Sequence, residues 1–403
     1  MASPRVVRDF VCTACGCVCD DLAVTVDGNR IVGFDPPCPV AAKFLLGRDE
    51  EPAGAPDPDP LIDEAANLLR AARAPLVMGL HRASVDAQRT AAALADRLGA
   101  IIDPADDKGR GSSARAAQSR GVITATLGEA AGRSDVVLYW QCDPATTHPR
   151  HMERFASRAG QRVLAVTAWP SPTAALAHEY LLVPESLALS AVSVLRAVLR
   201  GVPLDPDRVE EHTGSSLEVW QRLAEQLLAA RYLAIFAEGD DAQAEALTAL
   251  VDDLHQRTRA ALVPLGKPYN AVGAAQVLAW QTGFPAAVSF APGYPDYQAG
   301  EAVAELVLAR GEADVVLIVG TDPLAALPRA AAAHLRAIPS IVLDDRDTAT
   351  MRQAAVAIRT APFGIAEPGD VFRSDGVALP LRPVVRSASP SAADVLERIL
   401  ARL

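Results

Sequence analysis

Aromatic side chains are scarce in this sequence: they make up 5% of a chain in which half the residues are apolar. Its core must therefore be aliphatic, filled by Ala, Leu and Val. Long apolar runs are also missing. No stretch of about 18 uninterrupted apolar residues occurs, which argues against a membrane span. Clustered cations are absent as well, and the net charge is -11. A phosphate backbone is held by grouped Lys and Arg, so nucleic acid is not an expected partner. No apolar signal segment separates Met1 from the first cysteines, and the expected location is the cytoplasm. The six cysteines are too few and too unevenly spread for a disulfide framework.

Four of the six, Cys12, Cys15, Cys17 and Cys19, fall within eight residues. Cys12-x-x-Cys15-x-x-x-Cys19, joined by Cys38 beyond a hairpin, supplies four thiolates that a short fold can bring to one centre. Soft sulfur donors suit zinc and iron–sulfur clusters alike, so the expectation is one centre, either [4Fe-4S] or Zn. Cys17 is read as a bystander. The plainer reading is four small buried residues without a ligand, yet Cys15-Gly16-Cys17 hardly resembles core packing. Cys142, at the end of a buried strand, is read as a core thiol.

A length of 403 residues allows two or three domains. Residues 1–50 form a cysteine-cluster and hairpin unit, with Leu22–Val26 and Ile31–Phe34 flanking a turn that contains Asp27-Gly28. Residues 51–60 carry repeated prolines and read as a linker. From 61 to 403, strand-length apolar runs alternate with amphipathic stretches, the rhythm of α/β layers on a mostly parallel sheet. Buried strands are expected at Leu76–Leu80, Val136–Trp140, Val163–Val166, Tyr232–Ala237, Val315–Val319 and Ser340–Leu343.

An internal repeat runs through this region. Ala71-Ala72-Arg73 with Asp86-Ala87-Gln88 returns as Ala229-Ala230-Arg231 with Asp241-Ala242-Gln243, and Asp135–Pro144 echoes Asp314–Pro323. The expectation is two related, interleaved Rossmann-like α/β domains, approximately 61–225 and 226–385, followed by a short tail. Such sheets bind ligands beyond the carboxyl ends of their strands.

The stretch Val11–Asp21 resembles the opening of the B subunit of formylmethanofuran dehydrogenases. Asp135–Met152, Tyr269–Gly273 with Trp280, and Ala366–Val377 resemble the same family, and the likeness covers essentially the whole chain. The resemblance implies the molybdopterin oxidoreductase scaffold of the tungsten or molybdenum formate dehydrogenases: a cluster-binding N-terminal unit and two interleaved α/β domains. The capping β-barrel of such enzymes is not in this chain; in the family it is similar to what a separate D-type or fused subunit supplies, so a partner is implied.

Two departures from the family bear on activity. Where the family has a metal-ligating cysteine, in a Cys-His-Gly loop, this chain has Gly109 and Arg110, and glycine has no side chain to coordinate with. Where the family holds pterin phosphates through Asp-Pro-Arg-Lys-Thr, this chain reads Ala168-Trp169-Pro170-Ser171-Pro172-Thr173. Molybdopterin and Mo or W are therefore expected to be absent, and no catalytic residue is assigned.

The pattern resembles the B subunit of the formyltransferase/hydrolase complex. That resemblance implies a scaffold role in converting formyl-tetrahydromethanopterin to formate through a methanofuran-type carrier, beside an amidohydrolase-like A, a C and a formyltransferase-like D subunit. The alternatives are an active molybdenum or tungsten subunit, and a different binding module on the same scaffold. Candidate cleft residues are His148, Arg150 and His151 after a strand-terminal Asp-Pro, Lys108 and Arg110 in a glycine-rich loop, and Asn270. The competing reading of Thr147–His151 is a turn whose threonines cap the next helix. His81, His178, His212, His255 and His334 receive no role.

Overall fold

Each apolar run bounded by turn residues becomes a strand in the computed structural model, which describes residues 3–47, 57–104, 120–156, 158–238, 241–297 and 300–403. The N-terminal strands are β1 (Arg5–Cys12), β2 (Cys19–Asp27) and β3 (Arg30–Asp35), an antiparallel sheet in the order β1-β2-β3. The α/β region holds β4 (Pro75–Gly79), β5 (Ile101–Asp103), β6 (Val136–Trp140), β7 (Arg162–Thr167), β8 (Glu179–Leu182), β9 (Tyr232–Ala237) and β10 (Arg259–Pro264). It continues with β11 (Val288–Ser289), β12 (Val315–Val319), β13 (Ser340–Asp344) and β14 (Val356–Arg359), and a small ribbon of β15 (Gly369–Phe372) and β16 (Ala378–Leu381) follows.

By its contacts the chain divides into two units. The first takes Met1–Arg110 and Lys267–Leu403; the second is Gly111–Gly266. The first contains the sheet β11-β5-β4-β12-β13-β14 and the second the sheet β10-β9-β6-β7-β8, parallel throughout except where β11 meets β5. Both are filled by aliphatic side chains: Leu317, Val319 and Ile341 are buried in one, and Leu138, Val166 and Ile235 in the other.

The repeat is present in the hydrogen bonds. The Asp135 carboxylate accepts from the backbone N–H groups of Arg231 and Tyr232 at 3.0 and 2.9 Å, at the start of β9. Asp314 accepts from those of Arg73 and Ala74 at 2.7 and 3.0 Å, just before β4. At the other end of the same strands, Asp143 accepts from Thr173 through its N–H at 2.9 Å and its hydroxyl at 2.5 Å. Asp322 takes the same pair from Thr350 at 3.0 and 2.5 Å.

Strand by strand, β5-β4-β12-β13-β14 matches β10-β9-β6-β7-β8. The spatial division nevertheless differs from the expected 61–225 and 226–385. The two repeats have exchanged strands: β4 of the first repeat pairs with β12 of the second, and β9 of the second pairs with β6 of the first.

Three other expectations are corrected. The cysteine hairpin is not a unit of its own, because Val11 and Val18 pack with Phe363, Val371 and Leu381 in one cluster. The proline stretch ends earlier than 60, since a helix spans Asp59–Ala71 with its proline in the first turn, where the missing N–H is not needed. Residues after 385 are not merely a tail: helix Ala392–Leu400 buries Val395, Leu396 and Ile399 in the first unit's core.

Candidate metal centre and the carboxyl edge of the first unit

Cys12 closes β1 and Cys19 opens β2, and the two are cross-strand partners. The strands therefore pinch residues 13–18 into a loop that carries Cys15 and Cys17, tightened by a bond from the Val18 N–H to the Cys15 carbonyl at 3.1 Å. Cys38 precedes helix Pro39–Leu45 as its N-cap residue. All five are buried, and none forms a disulfide. Burial is the main force pushing the Cys12 thiol up; the Ala14 backbone opposes it, and the nearby Cys15, Cys19 and Cys38 add to it. Three further sulfurs thus lie close enough to act on the Cys12 thiol. Among the described residues no three His, Cys, Asp or Glu side chains form a ready-made ion cage, so these thiols are neighbours rather than a closed tetrahedron.

The loop is tied to other segments of the first unit. The Tyr269 N–H donates to the Thr13 carbonyl at 2.9 Å, and the Ser374 N–H donates to the Gly16 carbonyl at 3.1 Å. Gly364, at φ +71°, faces Thr13 so closely that a Cβ there would lie 2.6 Å from its hydroxyl. Beside it, the Arg82 guanidinium sits over the Tyr269 ring at 4.4 Å and near Phe44 at 5.9 Å. Arg82 pairs with Asp345 at 3.1 Å, and both side chains are 3% exposed. His81 lies 5.7 Å from the Tyr269 ring; burial first, then Arg82 and Arg346, hold its pKa down to about 3. Glu367 accepts from the Ser84 hydroxyl at 2.9 Å, and burial lifts its pKa to about 7.

His81 and Arg82 follow the end of β4 and Asp345 follows β13, the expected ligand edge, whereas Glu367 lies just before β15. Sequence reading missed His81, Arg82, Asp345 and Glu367. For His81, Arg82 and Asp345 the available signal was polar and charged residues placed directly after a buried strand; Glu367 carried no such signal.

Asn270, read as a cleft residue, bonds to backbone groups of the chain. It is fully buried; its Nδ2 donates to the Ala83 carbonyl at 2.8 Å and its Oδ1 accepts from the Phe372 N–H at 2.9 Å. Its side chain also requires Gly273, because a Cβ there would come within 2.1 Å of the Asn270 oxygen.

In the second unit, His148 bonds to Thr147 at 2.8 Å and to the Gly266 carbonyl at 3.0 Å, while Arg150 pairs with Glu153 at 2.6 Å. His151 is wholly buried against Tyr139, Phe155 and Phe236, and burial, with His148, lowers its pKa to about 3. Thr146 and Thr147 bond back to Asp143 rather than capping the next helix. Cys142 donates to the Phe236 carbonyl at 3.4 Å, as a core thiol should. Lys108, Gly109 and Arg110 lie outside the described residues.

No family model matches the chain. Curated relatives do. The B subunit of the tungsten-containing formylmethanofuran dehydrogenase 2 of Methanocaldococcus jannaschii is 34% identical, over 94% of each chain. This chain belongs to the family of formylmethanofuran dehydrogenase B subunits.

A second family member, the corresponding chain of Methanococcus maripaludis, is 30% identical over 97% of this chain and 96% of its own. The B subunit of the formyltransferase/hydrolase complex Fhc of Methylorubrum extorquens is 30% identical over 67% of this chain and 74% of its own. Among solved structures, the Methylorubrum extorquens FhcABCD complex with methylofuran matches with a TM-score of 0.72 and 27% identity, over 87% of this chain and 97% of its own. Acetylene hydratase of Pelobacter acetylenicus matches in fold alone, with a TM-score of 0.69 and 11% identity over 98% of this chain and 69% of its own.

Two groups implied by the family scaffold can be tested against the residues. A cysteine-held metal fits the donors' chemistry: they are soft and buried, and three of them act on the Cys12 thiol. The pterin phosphate clamp does not. Residues 168–173 contribute no cation, Ser171 caps the helix Pro172–Leu176 and Thr173 is committed to Asp143. At the first unit's edge, Arg82 pairs with Asp345, and Arg346 pairs with Asp344 at 2.8 Å.

Proposed function

We propose that this chain is the scaffold B subunit of a formyltransferase/hydrolase complex. The complex moves a formyl group from tetrahydromethanopterin to a methanofuran-type carrier and hydrolyses it to formate. The observation that carries this reading is the stretch after β7: where a dinucleotide cofactor needs cations, it has Ser171 and Thr173, both engaged within the chain. Transfer and hydrolysis then fall to the A (amidohydrolase-like) and D (formyltransferase-like) subunits, with C completing the assembly. Cys12, Cys15, Cys19 and Cys38 would hold one structural [4Fe-4S] or Zn centre.

Partner subunits have a surface to meet. Trp169, Leu176, Tyr180, Leu182 and Leu189 are each between 43% and 59% exposed. Two of them lie on β8, the outermost strand of its sheet. Apolar side chains grouped in this way mark interfaces. No helix among the described residues is long and apolar enough to cross a membrane.

The tungsten-containing relatives match more of the chain than the Fhc relative does, which favours a second reading: an active molybdenum or tungsten enzyme chain. Elemental analysis of the purified complex for Fe, Zn, Mo and W, alongside a formylmethanofuran oxidation assay with an artificial acceptor, separates the two. The scaffold reading expects Fe or Zn only and no oxidation. Turnover that depends on stoichiometric Mo or W overturns it.

A further inference from the structure

The strongest unassigned feature is a buried cation behind the cysteine loop. Arg82 is 4% exposed, and burying a guanidinium costs several kcal/mol unless it is paired. Among the described residues its carboxylate partner is Asp345, reached through Nη2 alone at 3.1 and 3.3 Å. Its Nε, like the Thr13 hydroxyl, is buried with no hydrogen-bond partner among the described residues. The ion pair thus leaves part of the buried guanidinium without a hydrogen-bond acceptor.

Four contacts lead from it to the cysteines. Arg82 lies over Tyr269, and Tyr269 holds the carbonyl of Thr13, the residue after Cys12. Arg82 also approaches Phe44, on the short helix that Cys38 begins, and the Phe44 and Tyr269 rings stand 6.2 Å apart. Tyr269 keeps its place at φ +64°, an uncommon conformation for a residue other than glycine. One stack therefore supports both chain segments that deliver thiols. Four thiolates around Zn2+ or a [4Fe-4S]2+ core leave a net charge of about -2 in a buried place.

We propose that Arg82, held by Asp345 over Tyr269 and Phe44, is the positioning residue of the cysteine metal centre. It orders the loop through Tyr269 and the Cys38 helix through Phe44. This rests on the reading of Cys12, Cys15, Cys19 and Cys38 as metal ligands.

The test is the rate at which metal passes from the purified complex to a chromogenic chelator, with metal content measured at the start. Arg82→Met keeps the length of the stem but loses the charge, and should release metal at least tenfold faster. Arg82→Lys should recover most of the difference, and Arg352→Met on the surface should match the wild type. Release from Arg82→Met at the wild-type rate, with the wild type carrying metal, overturns this inference alone. A wild-type complex without metal overturns the ligand assignment and the inference together. If Arg82→Met does not fold, Tyr269→Leu takes its place: it keeps the ion pair and removes the platform. Faster release supports the proposal, and an unchanged rate refutes it.

Discussion

Cys12 and Cys19 are cross-strand partners at the mouth of one hairpin, so the register of β1 on β2 sets which thiols can meet. Cys38 reaches the group from beyond β3. Small metal sites couple binding to folding. Cys38→Ser should therefore lower the metal content and weaken protection of residues 5–47 in hydrogen exchange. Cys17→Ser should leave the metal content unchanged. A larger loss from Cys17→Ser than from Cys38→Ser would reverse the ligand assignment.

The exposed apolar side chains around β8 should matter for assembly rather than for folding. Replacing Tyr180 and Leu182 together by Lys should leave the melting temperature of the chain within a few degrees, because surface changes are usually within about 0.5 kcal/mol. Co-purification of the A, C and D subunits should fall severalfold. Undiminished recovery of all partners would place their docking elsewhere.

Acid should destabilise this protein through two histidines. His81 and His151 are held neutral by burial, each with its pKa lowered to about 3. The unfolded chain takes up a proton at each below the usual histidine value of about 6.5. Stability therefore falls as pH drops from about 6.5 toward 3, by on the order of 4 kcal/mol per histidine over the full range. His151→Phe, which suits the aromatic surroundings, should remove one share of that dependence. Urea melts at pH 7.5 and pH 5 measure it, and an unchanged difference between the two would count against the account.

Glu367 works in the opposite direction. Burial raises its pKa to about 7, so the native state keeps a proton that the unfolded chain gives up above the usual glutamate value of about 4.3. Its contribution is fully present below that value and is lost as pH rises through 7. Glu367→Gln keeps the hydrogen-bond capacity toward Ser84 without the charge. The variant should equal or exceed the wild type in stability at pH 8 and lose its advantage at pH 5. A variant less stable than the wild type at pH 8 would show that the carboxylate itself is needed.

Much of the fold was legible because burial on both faces writes continuous apolar runs: Val136–Trp140 and Val315–Val319 are strands as read. The repeat was legible through Asp135 and Asp314, which cap neighbouring strand starts. Which repeat each strand would join was not, since local pattern carries no information on pairing across the chain. The cysteines stood out by spacing alone. The bonds from Asn270 to Ala83 and Phe372 were not legible, since they join segments far apart in the chain. Arg82 and Glu367 stayed hidden because a charged residue in sequence reads as solvated until its burial is seen.

The strand exchange bears on how the protein is made. β4 leaves the ribosome long before β12, its partner in the sheet, and more than half the chain lies between them. The second unit is continuous, so it can close while β4 and β5 still wait with open apolar edges. Exposed strands of that kind are prone to aggregate during synthesis. Slow translation or a shortage of chaperones should therefore harm the first unit before the second.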